Sequence, residues 1–183
     1  SWAGPNPIDA LDMGCGTGFL ALGLARLGHR AAGVDFAPAM LERAAAKAAT
    51  ESLTIRLEQA DAENLPFGDA SFDLVIERHV IWTLPDPTGA LLEWHRVLRP
   101  GGKIILIEGQ WSTSEAPRES VNADYEEIQD TLPFYDGASA AELSAIVESA
   151  GFIDATAEPL MDALLWGGPV NRERYALHAT RPS

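Results

Sequence analysis

The sequence predicts an α/β fold, a doubly wound and mostly parallel seven-stranded sheet with an antiparallel last strand. Three observations carry this reading. Short apolar runs that read as strands alternate with helical runs from residue 8 to residue 107. The first strand breaks into a glycine-rich loop, Gly14-Cys15-Gly16-Thr17-Gly18, at the start of a helix. Two further strand-like runs, 152–158 and 174–180, close the chain and are near enough in sequence to pair antiparallel.

Each element follows from local chemistry. Residues 8–12 form the first buried strand, and Phe19 opens a helix that Gly28 ends at its C-terminal cap. Residues 30–34 are a second strand ending at Asp35. Pro38 suits the first turn of an alanine-rich helix over 39–49. Residues 53–59 alternate with period two and read as a third strand. Residues 72–76 are apolar enough for the sheet centre. Asp86-Pro87 supplies an N-cap and first-turn pair for a helix through Leu98. Arg99-Pro100-Gly101-Gly102 reads as a turn before a fifth strand at 103–107. Ser139 and Glu142 form a capping box for a helix that ends at Gly151, 119–132 reads as a short acidic helix, and 159–173 as a loop.

Composition bounds the function. The chain has 183 residues and a formal net charge of −14. That balance argues against DNA or RNA as a partner, because a phosphate backbone needs clustered Lys and Arg. No apolar run reaches the ~18 residues of a membrane span. The single cysteine, Cys15, excludes an intrachain disulfide. No signal peptide is visible, and a cytoplasmic protein is expected. Residues 111–162 hold twelve acids against one base, Arg118, which reads as a solvated face or as a field that steers a cationic substrate.

Ligands of doubly wound sheets sit at the carboxyl ends of the strands. That rule selects Asp12, Asp35, Asp61, Glu77 and Glu108. Gly14, Gly16 and Gly18 leave backbone with few side chains, against which a ligand can lie directly. Asp12 ends an apolar strand and needs a partner, a ligand ammonium group being one candidate. Asp35 suits the two hydroxyls of a ribose or, equally, a cap on the helix that follows. Phe36 and Met40 either line an adenine pocket or pack in the core. Cys15 reads as a small residue fitted to a tight loop. His79, just beyond the fourth strand, is the nearest general base for a hydroxyl acceptor, and a positioning role is the competing reading.

Asp12-x-Gly14-x-Gly16-x-Gly18 resembles motif I of the class I S-adenosylmethionine-dependent methyltransferases. Residues 59–67 (Gln-Ala-Asp-Ala-Glu-Asn-Leu-Pro-Phe) resemble that family's segment after strand three. Residues 71–76 and 96–103 are similar to its strand-four segment and its turn before strand five, so the resemblance spans residues 8–108 in the family's order. It is closest to the type 11-like small-molecule enzymes. The resemblance implies a Rossmann-like fold and S-adenosyl-L-methionine as cofactor, with S-adenosyl-L-homocysteine as product. It implies that Asp12, Gly14, Cys15 and Gly16 hold the methionine end and that Asp35 takes the ribose. Phe36 and Met40 would flank the adenine, whose amino group and ring would meet Asp61 and Ala62. Glu77 and Arg78 would border the sulfonium, mainly through backbone.

The same resemblance implies one methyltransferase domain over 1–183, without the covering helices that usually precede strand one. It also marks 111–137 as a substrate-side insertion. Trp111, Tyr125, Phe134, Tyr135 and Trp166 are candidates for an aromatic wall against a small molecule. The Asp/Asn-Pro-Pro-Tyr signature of nucleic-acid and protein N-methylation is absent after strand four, where Glu77-Arg78-His79-Val80 stands. The expected reaction is methyl transfer to an oxygen or nitrogen, less readily a carbon or sulfur, of a small molecule. Two alternatives stay open. Gly16-x-Gly18-x-x-Ala21 with Asp35 permits an NAD(P)-dependent oxidoreductase, and no residue is an obligatory catalyst, which permits a non-catalytic binder of the cofactor. Oligomeric state is not readable from the sequence.

Overall fold

The computed structural model describes residues 6–111, 125 and 127–183. The strands are β1 (Asp9–Met13), β2 (Arg30–Asp35), β3 (Ile55–Gln59), β4 (Phe72–Arg78), β5 (Leu98–Gly109), β6 (Ile153–Pro159) and β7 (Arg174–Thr180). They form one sheet in the order β3-β2-β1-β4-β5-β7-β6. All neighbours pair parallel except β7, which runs antiparallel to both β5 and β6. The reversal between β3 and β4, on either side of β1, opens a crevice at the carboxyl ends of the central strands. The helices are α1 (Phe19–Arg26), α2 (Pro38–Thr50), α3 (Pro87–Val97), α4 (Ala140–Ser149) and the single turn α5 (Ala163–Trp166).

Register assigns side chains to faces, because cross-strand partners point the same way. Leu11 pairs with Val75, Met13 with Glu77, Glu77 with Leu106, and Leu106 with Leu177. This face packs on α3 and α4 through Leu91, Trp94, Leu143 and Val147, all buried. Trp94 has no exposed surface, and its indole N–H donates to the Ala62 carbonyl at 2.8 Å. The opposite face carries Ala10, Leu74 and Ile76 against Leu20 and Leu24 of α1. Asp12, paired with Ile76, points to this second face.

Caps fall where side-chain chemistry put them. Asp86 accepts from the Gly89 N–H at 2.9 Å, and Ser139 and Glu142 form the expected reciprocal box. Gly28 has φ +87 and closes α1 by donating to the Ala25 carbonyl.

Three expectations change. Residues 99–102 are not a separate turn before a strand that starts at 103. The strand already pairs at Leu98 with Phe72, the register slips before Lys103 meets Leu74, and Arg181 bonds the excursion through Gly101 and Gly102. The loop 159–173 contains α5, capped by Asp162. His95 of α3 is half-buried, edge-on to Phe152 at 5.1 Å, and burial lowers its pKa. Half of the acidic helix expected over 119–132 lies outside the described residues, and its described end is a 3-10 turn at Gln129–Thr131.

Candidate active site

The glycine loop leaves β1 with φ of +58 at Gly14, +52 at Gly16 and +83 at Gly18, a region L-residues rarely occupy. A Cβ on Gly14 would lie 2.4 Å from Val80 Cγ2, so the segment after β4 closes directly on this glycine. A Cβ on Gly16 would meet nothing within 4 Å, so the chain leaves open space there. Cys15 turns the other way. Its N–H donates to the Val34 carbonyl at 2.8 Å, and its sulfur fills the space a Gly33 side chain would need. Burial pushes its thiol up to about 12, which makes it inert. Only its backbone is available to a ligand.

Asp12 has a partner within the chain. Its Oδ2 accepts from the Ala21 N–H in the first turn of α1 at 2.8 Å. Burial nevertheless raises its pKa from 3.8 to about 7, with the Ala21 bond and Arg78 acting in the opposite direction. A cation arriving at this end of β1 would favour the ionised form.

Asp35 ends β2 and ties the loop to it. Its Oδ2 accepts from the Gly16 N–H at 2.7 Å and its Oδ1 from the Ala37 N–H at 2.8 Å. The capping and ligand readings are therefore compatible, since each carboxylate oxygen keeps a second lone pair. Phe36 is 78% exposed and Met40 37%, so neither is core packing. Asp35 pairs with Gln59 at the end of β3, which brings Asp61 and Ala62 to the same rim. Asp61 is exposed and shapes its own turn by accepting from Glu63 N–H at 2.9 Å. Ala62 is held by Trp94 from behind.

The end of β4 supplies a second group. Glu77 is fully buried, so its side chain does not reach a ligand, and only its backbone borders the crevice. Arg78 is exposed, with its guanidinium 4.4 Å above the Phe19 ring. His79 has φ +63, a strained conformation for a residue with a side chain. Its ring stands 4.7 Å from Trp111 and 5.8 Å from Trp166, and its Nδ1 lies 3.8 Å from Glu108 Oε2.

The aromatic wall is assembled in part. Trp111 and Trp166 meet at His79. Trp82 lies 5.0 Å from Tyr125 and 6.4 Å from Tyr135. Phe134 instead packs against the main core. Two members were missed in the sequence. Trp82 follows β4 by four residues, and the strand-end rule that selected His79 would have found it had it been carried one turn further. Arg174 stacks on Trp111 at 4.3 Å and lies 5.5 Å from Trp166, with burial lowering its pKa. Nothing in the local sequence marks it, since it reads only as the start of a strand.

A doubly wound sheet with a reversed closing strand, a glycine loop after β1 and acids at the ends of β1, β2 and β3 define the class I methyltransferase fold. The chain belongs to the methyltransferase domain family, whose model matches residues 11–106. That membership sets it apart from the nicotinamide oxidoreductases. It is 41% identical to the demethylmenaquinone methyltransferase of Deinococcus radiodurans over 105 residues, 56% of this chain and 44% of that protein. The chain spans about half the length of the curated relatives it matches. In fold it is similar to the [4+2]-cyclase SpnF, with a TM-score of 0.75 at 21% identity over 97% of this chain and 76% of that one. It is also similar to a phosphoethanolamine N-methyltransferase of Haemonchus contortus, with a TM-score of 0.74 at 21% identity over 98% of this chain and 50% of that one.

Proposed function

We propose that this chain binds S-adenosyl-L-methionine and transfers its methyl group to an oxygen or nitrogen of a small molecule. The observation that carries the reading is the bond from Gly16 N–H to Asp35. It joins a side-chain-free stretch of loop to a carboxylate at the next strand end, which is the shape and chemistry an amino-acid tail and a ribose require. The residues fit the cofactor. The open space at Gly16 admits the methionine end, with Asp12 behind it, and Asp35 accepts from the ribose hydroxyls. Exposed Phe36 and Met40 offer an apolar surface for adenine, and Asp61 a carboxylate for its amino group. When bound, the cofactor supplies an already activated methyl carbon.

The chain's own task is then to hold an acceptor in line with that carbon, to exclude water and to take a proton where the acceptor is a hydroxyl. Trp82, Trp111 and Trp166 supply flat walls, and His79 is the base. The expected substrate-side insertion over 111–137 falls in part outside the described residues. Relatives and neighbours named for demethylmenaquinone and phosphoethanolamine support a small acceptor.

Turnover is tested by incubating the protein with methyl-labelled cofactor and panels of phenols, alcohols and amines, and following S-adenosylhomocysteine release. His79→Gln is expected to lower kcat on a hydroxyl acceptor by about 10²–10⁴-fold with cofactor affinity unchanged. An unchanged kcat removes His79 from the chemistry. No turnover with any acceptor, alongside cofactor binding, would favour the non-catalytic binder.

Gly16→Ala separates binding from stability. Its Cβ meets no protein atom, so unfolding free energy should fall by only about 1 kcal/mol from the positive φ. The same methyl group occupies the ligand's space, and binding of S-adenosylhomocysteine should weaken at least tenfold. Equal affinity in calorimetry would move the cofactor away from the loop.

A further inference from the structure

Beside the proposed acceptor site the chain buries two carboxylates that the cofactor does not need. Glu77 is 0% exposed and Glu108 1%. Register puts them on one face of adjacent strands. Glu77 pairs with Leu106, two residues before Glu108, and Glu108 pairs with Tyr175. Both reach the same loop. Glu77 Oε2 accepts from Val80 N–H at 2.8 Å, and Glu108 Oε1 accepts from Ile81 N–H at 3.2 Å. The remaining oxygen of each is buried without a hydrogen-bond partner, and so is Nδ1 of His79. Native interiors leave few such atoms. Three lie around one loop, and the Trp111 indole N–H, also buried and unpartnered, stands on a ring 4.7 Å from that of His79.

Two adjacent buried carboxyls do not both ionise without a cation between them. Among the described residues no Lys or Arg lies within 4 Å of either, and His79 alone approaches. The charged groups around them do not alter this. Arg174 of β7 attracts Glu108 only through space, and the Tyr175 hydroxyl is spent on the Ala138 carbonyl at 2.9 Å. Glu142 of α4 bonds its own N-cap, and Asp12 of β1 points to the opposite face. One proton between Glu77 and Glu108 satisfies one pair of orphaned oxygens and leaves one negative charge. That charge faces His79 Nδ1.

We propose that Glu77 and Glu108 form a one-proton pair that positions His79, fixing its proton on Nδ1 and leaving the Nε2 lone pair for the hydroxyl of the acceptor. Burial and the Glu108 charge, in that order, hold the Glu77 carboxyl well above the usual range, and Glu108, whose Oε2 lies 3.8 Å from His79 Nδ1, is the member that faces the histidine. Nδ1 is fully buried while 29% of the His79 side chain is exposed, so the open part of the ring is the part that carries Nε2. The positive φ of His79 turns the ring toward Trp111 and Trp166, and the 3.8 Å gap to Glu108 closes by a small ring rotation. With the cofactor bound, the acceptor oxygen would bond the methyl carbon as the carbon–sulfur bond breaks and its electron pair returns to sulfur, and the acceptor's proton would pass to Nε2. The resulting imidazolium is balanced by the pair's single charge. Glu108 and Glu77 are positioning residues, and the acceptor class is a hydroxylated small molecule. This inference rests on the methyltransferase reading for its acceptor, but the pair itself is measurable without one.

The experiment is long-range 1H–15N NMR of histidine-labelled protein at mildly alkaline pH, with His79 assigned by His79→Gln. It is joined to infrared spectroscopy of glutamate-labelled protein at neutral pH. The expected result is neutral His79 as the Nδ1–H tautomer in about tenfold excess or more, the preference a hydrogen bond to a charged acceptor produces. A protonated-carboxyl band is expected that Glu77→Gln removes while the tautomer stays. Glu108→Gln should reduce the excess to a mixture of tautomers. An Nε2–H tautomer in the unmodified protein overturns the proposal whether or not the variants fold, and so does the absence of the carboxyl band. Binding of S-adenosylhomocysteine to the same samples reports separately on the cofactor reading.

Discussion

Asp35→Ala is expected to weaken S-adenosylhomocysteine binding by roughly 100-fold, with lost hydrogen bonds to a charged acceptor contributing about 1.5–3 kcal/mol each. The effect has two sources. The ribose loses its acceptor, and Gly16 and Ala37 lose theirs, so the loop is no longer tied to β2 at 2.7 and 2.8 Å. Asp35→Asn keeps one acceptor oxygen and should fall between the two. Urea unfolding should show a smaller loss for Asp35→Ala, about 1–2 kcal/mol, because two backbone donors are released near solvent. Affinity within threefold of the unmodified chain would show that the ribose lies elsewhere.

Asp12→Asn is expected to make the ligand-free protein more stable at alkaline pH and poorer at binding. In the folded chain the Asp12 pKa is about 7, against 3.8 as the ordinary value, chiefly through burial. The sign follows from linkage. The folded state holds the proton more tightly than the unfolded state, so this group's contribution is fully present below about pH 4 and is lost as pH rises toward 7. The whole displacement is on the order of 4 kcal/mol. Asparagine keeps the acceptor for Ala21 N–H without the buried charge. Its advantage in urea unfolding should therefore be near zero at pH 4 and grow to a few kcal/mol at pH 8. The same substitution removes the charge that would face a ligand ammonium, so S-adenosylmethionine affinity should fall. A pH-independent difference in stability would place the ionised form of Asp12 in a better solvated site.

The fold was readable because local signals agreed with one another. The Asp86-Pro87 entry, the Ser139–Glu142 box and Gly28 each mark an element end by a specific bond or backbone angle. Strand order was not written locally, but the parallel, right-handed crossovers and the closing pair leave few arrangements. The start of β5 was misplaced because Pro100-Gly101-Gly102 carries turn chemistry, and only the bond network to Arg181 shows that the strand has already begun.

The site was readable where it lies in one stretch of chain, and less so where it is built from several. Gly14, Gly16, Asp35 and Asp61 each announce themselves at a strand end. Asp12 was read as needing a partner, a ligand ammonium group being one candidate, and the chain itself supplies one in the Ala21 N–H of α1, which only a three-dimensional view reveals. Cys15 and Glu77 bury their side chains, so a ligand would meet them by backbone alone, and side-chain type says nothing about that. The approach of Glu108 to Glu77 depends on β5 pairing beside β4, and the stacking of Arg174 on Trp111 depends on β7 folding back beside β5. No spacing within the sequence encodes them.

The most direct test of the account is a calorimetric titration of the purified protein with S-adenosylhomocysteine, S-adenosylmethionine and NADH. Micromolar binding of both adenosyl ligands, with none of NADH, is the predicted result. Binding of NADH alone, or of neither adenosyl ligand, would contradict it.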